Sequence, residues 1–282
     1  MNPLSLPDGT ALPTLGLGTW RMGESRGARA AEVAAVRGAI ELGYRLIDSA
    51  EMYGEGGAEE VVGQAIAEAL RAGDVRRDEL FIVSKVYPHN ASSSGTRKAC
   101  ERSRQRLGLD RIDLYLLHWR GEHALADTAA AMHALLQAGR IAHWGVSNFD
   151  VDDMEELMAV APDCAANQVY LSLGERGPEH GLLPWLRRHA MPLMAYSPID
   201  QSALAADARV AALAAPLALT AAQLALAWTL RDGNVVAIPK AVRETHLREN
   251  FAASSVKLDA ATLAALNSLF PPPRKAQPLA MT

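Results

Sequence analysis

Cysteine is scarce in this 282-residue chain: there are two, Cys100 and Cys164, with neither CxxC spacing nor a framework around them. A disulfide-stapled fold is thereby excluded, and a reducing, cytoplasmic compartment is expected, with both thiols acting as small buried hydrophobes. Metal-ligand spacing is absent as well. No HExxH or Cys/His cluster occurs, His118 and His123 do not form one, and no metal is expected. His89, His133, His143, His180 and His189 read most simply as surface or loop residues. There is no block of Lys or Arg, and 28 basic against 32 acidic residues leave a net charge of −4, which makes a nucleic-acid partner a poor expectation. The leading segment, Met1 to Gly9, lacks a basic stretch and an apolar core, so it does not read as a signal peptide.

Long apolar runs are missing with one exception. Val210 to Leu230 carries no charge over a length that could cross a bilayer, but Pro216 interrupts it. Thr220-Ala-Ala-Gln223 then reads as a capping box that opens a fresh helix toward Trp228. Two short helical pieces joined by a break fit a water-exposed barrel better than a membrane span. What the chain does have is 49% hydrophobic and 21% charged residues, a globular balance. At this length it buries roughly three-quarters of its unfolded surface and needs no staple.

Leu4-Ser-Leu, Pro7-Asp-Gly-Thr and Ala11-Leu12 suggest a small hairpin turning at Asp8-Gly9. A rhythm follows. Short β-branched or aromatic runs at Leu15–Gly18, Tyr44–Ile47, Leu80–Ser84, Ile112–Leu117, Ala142–Val146, Ala166–Tyr170, Pro192–Tyr196 and Val235–Ile238 alternate with segments of helical period. The helical segments are Ala30–Leu42, Ala58–Ala72, Gly95–Leu107, His123–Ala138, Val151–Val160, Leu182–His189, Thr220–Leu230 and Glu244–Phe251, with a last helix near Ala260–Leu269 and an irregular tail. Eight strand–helix alternations imply a parallel sheet closed into a (β/α)8 TIM barrel. No linker or composition shift divides the chain, so residues 1–282 are expected to form one domain. Trp144, Trp185 and Trp228 lie in apolar contexts and read as core.

In such a barrel, functional groups stand where strands end. Tyr44-Arg-Leu-Ile-Asp closes on Asp48, Phe81-Ile-Val-Ser-Lys on Lys85, and Ile112-Asp-Leu-Tyr-Leu-Leu-His on His118. Strand side chains alternate, so Asp48 shares a side with Leu46 and Tyr44, Lys85 with Val83 and Phe81, and His118 with Leu116, Leu114 and Ile112. Taken singly, a strand-end Asp is more often a cap, a Lys a solvated loop residue and a His a satisfied core imidazole. Matching parity on three strands is what favours a site. The loop after Asp48 brings Tyr53, and a phenol near the Lys85 charge should have its pKa lowered from about 10. With Asp48 holding Lys85, Tyr53 would donate a proton to a carbonyl that His118 orients.

These residues carry a resemblance. Leu15-Gly-Leu-Gly-Thr-Trp20, Leu46-Ile-Asp48-Ser-Ala-Glu-Met-Tyr53-Gly54, Val83-Ser-Lys85-Val and Asp113-Leu-Tyr-Leu-Leu-His118-Trp119 resemble segments of the aldo-keto reductases. So do Gly145-Val-Ser147-Asn148-Phe, Asn167-Gln168-Val, Ala195-Tyr196-Ser197-Pro198 and Ile238-Pro239-Lys240. The chain is most similar to bacterial members that reduce small aldehydes such as methylglyoxal. The resemblance implies that Asp48, Tyr53, Lys85 and His118 form the family's catalytic tetrad, and that NADPH binds at the barrel mouth, with NADH less favoured. It implies that Ser147, Asn148 and Gln168 bond the nicotinamide carboxamide, Tyr196 stacks on its ring, and Ser197 and Pro198 follow the pyrophosphate. Gly18, Thr19, Trp20, Ile238 and Pro239 would also border the cofactor, with Lys240 at the 2′-phosphate and Glu249 and Asn250 at the adenine. Without the family, Ser147-Asn148 and Tyr196-Ser-Pro are still polar groups at strand ends.

Gly54-Glu-Gly56-Gly57 could pass for a dinucleotide-binding glycine loop, but Glu55, Glu59 and Glu60 would crowd a pyrophosphate with negative charge. Lys240 and Arg243, just before a helix starting near Glu244, suit an anion better, although a solvated basic turn has the same appearance. His246 and Ala241 stand where many relatives place Arg and Ser, which weakens the charge offered to a phosphate there. Trp20, Tyr87 and Trp119 should form an aromatic pocket for a small carbonyl substrate, with Met22 and Met52 adding adaptable surface; alternatively the aromatics cap the core rim. The loop after Ser197 is short, and the absence of long covering loops predicts broad specificity in a monomer or weak oligomer. Two rivals stay open: a Schiff-base lyase using Lys85 as nucleophile, and a non-catalytic NADPH-binding sensor or accessory protein.

Overall fold

The strands form where β-branched and large apolar residues alternate, and the helices where Ala, Leu, Glu and Arg repeat at 3.6-residue spacing. A computed structural model describes residues 3–282. The two leading residues of the segment read against a signal peptide therefore lie outside the described residues. The expected hairpin is present: β1 (Leu4–Ser5) pairs antiparallel with β2 (Ala11–Leu12), and Gly9 takes the turn at φ 89°.

The barrel strands are β3 (Gly16–Gly18), β4 (Leu46–Asp48), β5 (Phe81–Val86), β6 (Ile112–Leu117), β7 (Ile141–Ser147), β8 (Asn167–Tyr170), β9 (Leu193–Tyr196) and β10 (Val235–Ala237). They pair parallel in sequence order. Bridges Leu15–Ala237 and Gly18–Lys240 join the first barrel strand to the segment around the last, so the eight-stranded sheet curls into the expected barrel. Around it run α1 (Arg29–Leu42), α2 (Gly57–Ala72), α3 (Ser93–Leu107), α4 (Leu125–Gln137), α5 (Val151–Val160) and α6 (Leu182–Arg188). The ring continues with α7 (Ala208–Ala214), α8 (Ala221–Thr229), α9 (Glu244–Ala253) and α10 (Ala260–Leu269).

Two apolar layers follow from strand alternation. Leu46, Phe81, Val83, Leu114, Leu116, Met194, Val236 and Ile238 fill the barrel interior, while Ile47, Ile82, Tyr115, Leu117, Trp144 and Val146 face the helices. The parity expected of Tyr44 and Ile112 fails. Both join the layer beneath the helices, because β4 begins only at Leu46 and Ile112 opens β6 at the rim. Tyr44 donates its hydroxyl to the Leu247 carbonyl at 2.9 Å and packs its ring 5.2 Å from Phe251. Met22 is likewise fully buried in the core. Leu6 and Leu12 of the hairpin belong to the interior layer and close the barrel floor. His143 is no free surface residue: from β7 its ring bonds the Asp113 carbonyl at 3.0 Å and the Asp8 carboxylate at 2.8 Å, fixing the hairpin.

The uncharged stretch resolves as read. Thr220 and Gln223 exchange capping hydrogen bonds at the start of α8. Among the described residues no single helix is long and apolar enough to cross a membrane, and the two pieces that would together reach that length meet at 86°.

Candidate active site

Three strand ends deliver charge to one point above the apolar interior. The Lys85 ammonium is wholly buried and donates to Asp48 Oδ2 at 2.7 Å, to the Ser49 carbonyl at 2.9 Å and to the Tyr53 hydroxyl oxygen at 3.2 Å. Its three protons are thus all used. The second Asp48 oxygen accepts from the Gln168 amide at 2.8 Å, so the carboxylate has a donor on each side. Thr19 steadies this end of β4, bonding the Asp48 carbonyl through its backbone N–H at 3.1 Å and its hydroxyl at 2.9 Å.

Tyr53 is carried by a turn that needs left-handed backbone at Gly54 (φ 55°) and Gly56 (φ 95°); a side chain at Gly54 would also press on the Met22 carbonyl, 2.8 Å from where its Cβ would sit. The glycines shape this turn. Glu59 is fully buried behind it and accepts from Ser84 at 2.5 Å and Arg106 at 2.6 Å, which ties α2 to the strand bearing Lys85. Glu51 anchors the same loop, accepting from the Tyr87 N–H at 2.8 Å, Asn90 at 3.0 Å and Arg102 at 3.1 Å.

The electrostatics correct one expectation. Burial pushes the Tyr53 hydroxyl upward, the Lys85 charge pulls it down, Asp48 pushes it up again, and the net pKa lies above the ordinary value. Burial would by itself lower Lys85, but Asp48 and Tyr53 more than offset it, and the ammonium ends above its ordinary value. Burial, with the Lys85 charge second, drives His118 well below 6.5, so its ring is neutral at physiological pH. Its Nδ1 is buried without a hydrogen-bond partner among the described residues, and its ring stands edge-on to Tyr53 at 5.6 Å.

A cavity of about 460 Å³ opens above these groups. Asp48, Tyr53 and His118 line it, while Lys85 lies behind them. On its walls stand Gly18, Thr19, Trp20, Ile238, Pro239 and Lys240 from one side and Asn148, Gln168, Tyr196, Ser197 and Pro198 from the other. Trp20 and Trp119 supply aromatic surface, and Met52 lies among them. Tyr87 is not on the wall; its ring packs 4.2 Å from His89 and 5.1 Å from Trp119, behind the latter. Ser147 is also set back, its hydroxyl donating to the Gln168 carbonyl at 2.8 Å. Asn148 bonds the His118 carbonyl and Ser147 through its amide nitrogen, and its Oδ1 accepts from Tyr196 at 2.9 Å. Arg243, His246, Glu249 and Asn250 lie outside the cavity, on the start and body of α9, with Asn250 buried and Arg243 exposed. Lys240 and Arg243 form no ion pair among the described residues, and no side chain caps the first N–H groups of α9.

Sequence reasoning missed several wall residues. Arg21 lines the cavity with its guanidinium 4.4 Å from the Trp20 ring. Gln201, Ser202 and Ile199 join it from the loop after β9. Met281 and Thr282 reach it from the tail, which the reading of the tail as an irregular terminal segment did not anticipate. Leu279 packs on the core and brings the tail there, and the apolar Leu279-Ala-Met281 was the signal available.

The Aldo/keto reductase family description matches residues 14–270. The chain is 46% identical over 271 residues to the methylglyoxal reductase YeaE of Escherichia coli K12, covering 94% of this chain and 93% of that protein. It is 37% identical over 248 residues to the glyoxal reductase of Bacillus subtilis, covering 88% of this chain and 85% of that one. In three dimensions it is similar to an aldo-keto reductase from Klebsiella pneumoniae solved in complex with NADPH, with a TM-score of 0.94, 44% identity, and coverage of 100% and 99% of the two chains. The fold, the strand-end charges and these likenesses agree, and the chain belongs to the aldo/keto reductase family.

Proposed function

We propose that the whole chain acts as one barrel domain that reduces small aldehydes or activated ketones to alcohols with NADPH, Tyr53 serving as the proton donor. The observation that carries this reading is the saturation of Lys85. Its three N–H groups go to Asp48, the Ser49 carbonyl and the Tyr53 oxygen, so the Tyr53 proton is left to point into the cavity beside a neutral His118.

The residues present suit a nicotinamide dinucleotide phosphate. Lys240 and Arg243 are cations without an ion-pair partner among the described residues, beside an uncapped helix start, a setting that suits a 2′-phosphate. Tyr196, Asn148 and Gln168 would flank the nicotinamide, Ser197 and Pro198 the pyrophosphate, and Glu249 and Asn250 the adenine. His246 offers less charge than an arginine, so the preference for NADPH over NADH rests on Lys240 and Arg243. When bound, the cofactor supplies a hydride to the carbonyl carbon.

The chain's own groups do the rest. His118, kept neutral, donates from Nε2 to the carbonyl oxygen and sets its direction without competing as an acid. Tyr53 gives its proton to that oxygen as alkoxide character develops, and the adjacent ammonium stabilises the tyrosinate left behind. A phenol that stays protonated well into the alkaline range is a loaded donor, and only the developing charge draws its proton away. Asp48 keeps Lys85 charged, and a charged, fully bonded amine cannot add to a carbonyl, which disfavours the lyase reading. The related methylglyoxal and glyoxal reductases point to 2-oxoaldehydes as the substrate class. Two buried free thiols, pushed up to about 12 by burial, fit a reducing cytoplasm.

Following NADPH oxidation with methylglyoxal tests the proposal. In Tyr53→Phe, kcat should fall about 10²–10⁴-fold while NADPH still quenches the protein's fluorescence with unchanged affinity. Retained turnover in that variant refutes the acid assignment, and quenching without turnover in the wild type favours a sensor.

A further inference from the structure

The loop after β9 holds four non-glycine residues in left-handed backbone: Ser197 at φ 47°, Asp200 at 49°, Gln201 at 51° and Ser202 at 87°. A residue with a Cβ enters that region at a cost, and a run of such residues persists only when its surroundings hold it. Backbone bonds supply part of the hold, from the Asp200 N–H to the Ser197 carbonyl at 3.0 Å, Ser202 to Ile199 at 3.0 Å, and Ala203 to Asp200 at 2.9 Å. The side chain of Asp200 supplies another part. Its Oδ1 accepts from the Tyr170 hydroxyl at 2.7 Å and from the Ser172 hydroxyl. Ser172 is itself fixed, accepting the N–H groups of Gly174 at 3.1 Å and Glu175 at 2.9 Å. Gly174 leaves the space this needs, since a Cβ there would stand 2.0 Å from Asp200 Oδ2.

Direction gives this arrangement its meaning. Ser197, Pro198, Ile199, Gln201 and Ser202 all line the cavity, and Asp200, the only acidic residue between 197 and 206, does not. Tyr170 also stacks its ring behind Tyr196 at 5.6 Å and 17°, so one side chain supports both the ring on the cavity wall and the loop that follows it.

We propose that Tyr170 and Ser172, acting through Asp200, are positioning residues that preset the 197–202 loop for a dinucleotide and turn its single carboxylate away from the phosphates. The inference rests on the NADPH reading and deepens it. Asp200 released toward the cavity would repel a pyrophosphate, and a loop free to relax would have to be reordered each time the cofactor binds.

The test uses the full chain as wild type, Tyr170→Phe/Ser172→Ala, and that double variant with Asp200→Asn added. Tyr170→Phe keeps the ring against Tyr196, and the single variant serves if the double variant fails to fold. Hydrogen exchange without cofactor should quicken at residues 197–204 of the double variant. Its Kd for NADPH, read by fluorescence quenching, should rise about tenfold, with kcat at saturating NADPH unchanged. Adding Asp200→Asn should restore part of the affinity by removing the charge, whereas a merely structural lesion would gain nothing. A wild type that binds NADPH together with a double variant of unchanged Kd overturns the inference alone, whether or not the loop has loosened. A wild type that binds no NADPH overturns the functional reading and this inference with it.

Discussion

Replacing Lys85 by Met removes a charge but almost no volume, and the surroundings dictate the outcome. Asp48 Oδ2 and the Ser49 carbonyl lose the only donor they have among the described residues, and Asp48, though on the cavity wall, is 2% exposed, too little for solvent to replace it in full. Breaking a buried ion pair from one side costs about 3–5 kcal/mol. The Gln168 bond to Asp48 Oδ1 survives and keeps the loss from the upper end. Activity should fall further than stability. The Tyr53 pKa, already raised by burial, loses the one charge that pulls it down, and its hydroxyl gains an acceptor in the orphaned carboxylate, so the proton meant for the substrate is diverted. A drop in kcat of about 10²–10⁴-fold follows. Asp48→Asn added to Lys85→Met removes the unpaired charge and should recover about 2 kcal/mol relative to the sum of the single variants, leaving kcat depressed. Urea unfolding gives the stability cycle and NADPH oxidation gives the rate. A Lys85→Met protein within about 1 kcal/mol of wild type, or single variants that add within about 0.5 kcal/mol, would refute the reasoning.

The pH dependence of stability has a definite sign at His118. Its folded pKa lies well below 6.5, so on acidification below 6.5 the unfolded chain takes up a proton that the folded chain refuses, and stability falls by about 1.4 kcal/mol per pH unit until the folded pKa is reached. Urea unfolding between pH 7 and 5 should therefore show a steeper loss in the wild type than in His118→Gln; equal slopes would mean the ring is not held neutral. At the other end of the chain, Thr220→Ala deletes the side-chain acceptor for the Gln223 N–H, a 3.2 Å bond, and should cost about 1 kcal/mol, with faster amide exchange confined to the first turn of α8.

What could be read in advance was whatever depends on spacing. Asp48, Lys85 and His118 close strands on the interior-facing parity, so their convergence followed from alternation and barrel closure, and the Thr220–Gln223 box marked the start of α8 from four letters. What could not be read depends on depth and return paths. The sign of the Tyr53 shift is decided by burial, which no local pattern reports, and Lys85 alone predicted the opposite direction. Ser147 and Asn148 were legible as polar strand-end residues, yet which groups they satisfy depends on β8 and β9 lying beside them. The tail has no periodicity, so the apolar Leu279-Ala-Met281 marked an end that would pack without showing that it returns to the mouth, and the outward turn of Asp200, set by hydroxyls some thirty residues earlier, left no local mark.

The small hairpin at the barrel floor has a consequence for the opposite end. Leu6 and Leu12 act as a stopper at the floor, opposite the cavity that opens above the buried ions. The stopper is itself held by the His143 links to Asp8 and Asp113. The Asp48–Lys85–Tyr53 group thus works between an apolar floor and an open door, and whatever fills that door sets the dielectric in which the proton moves.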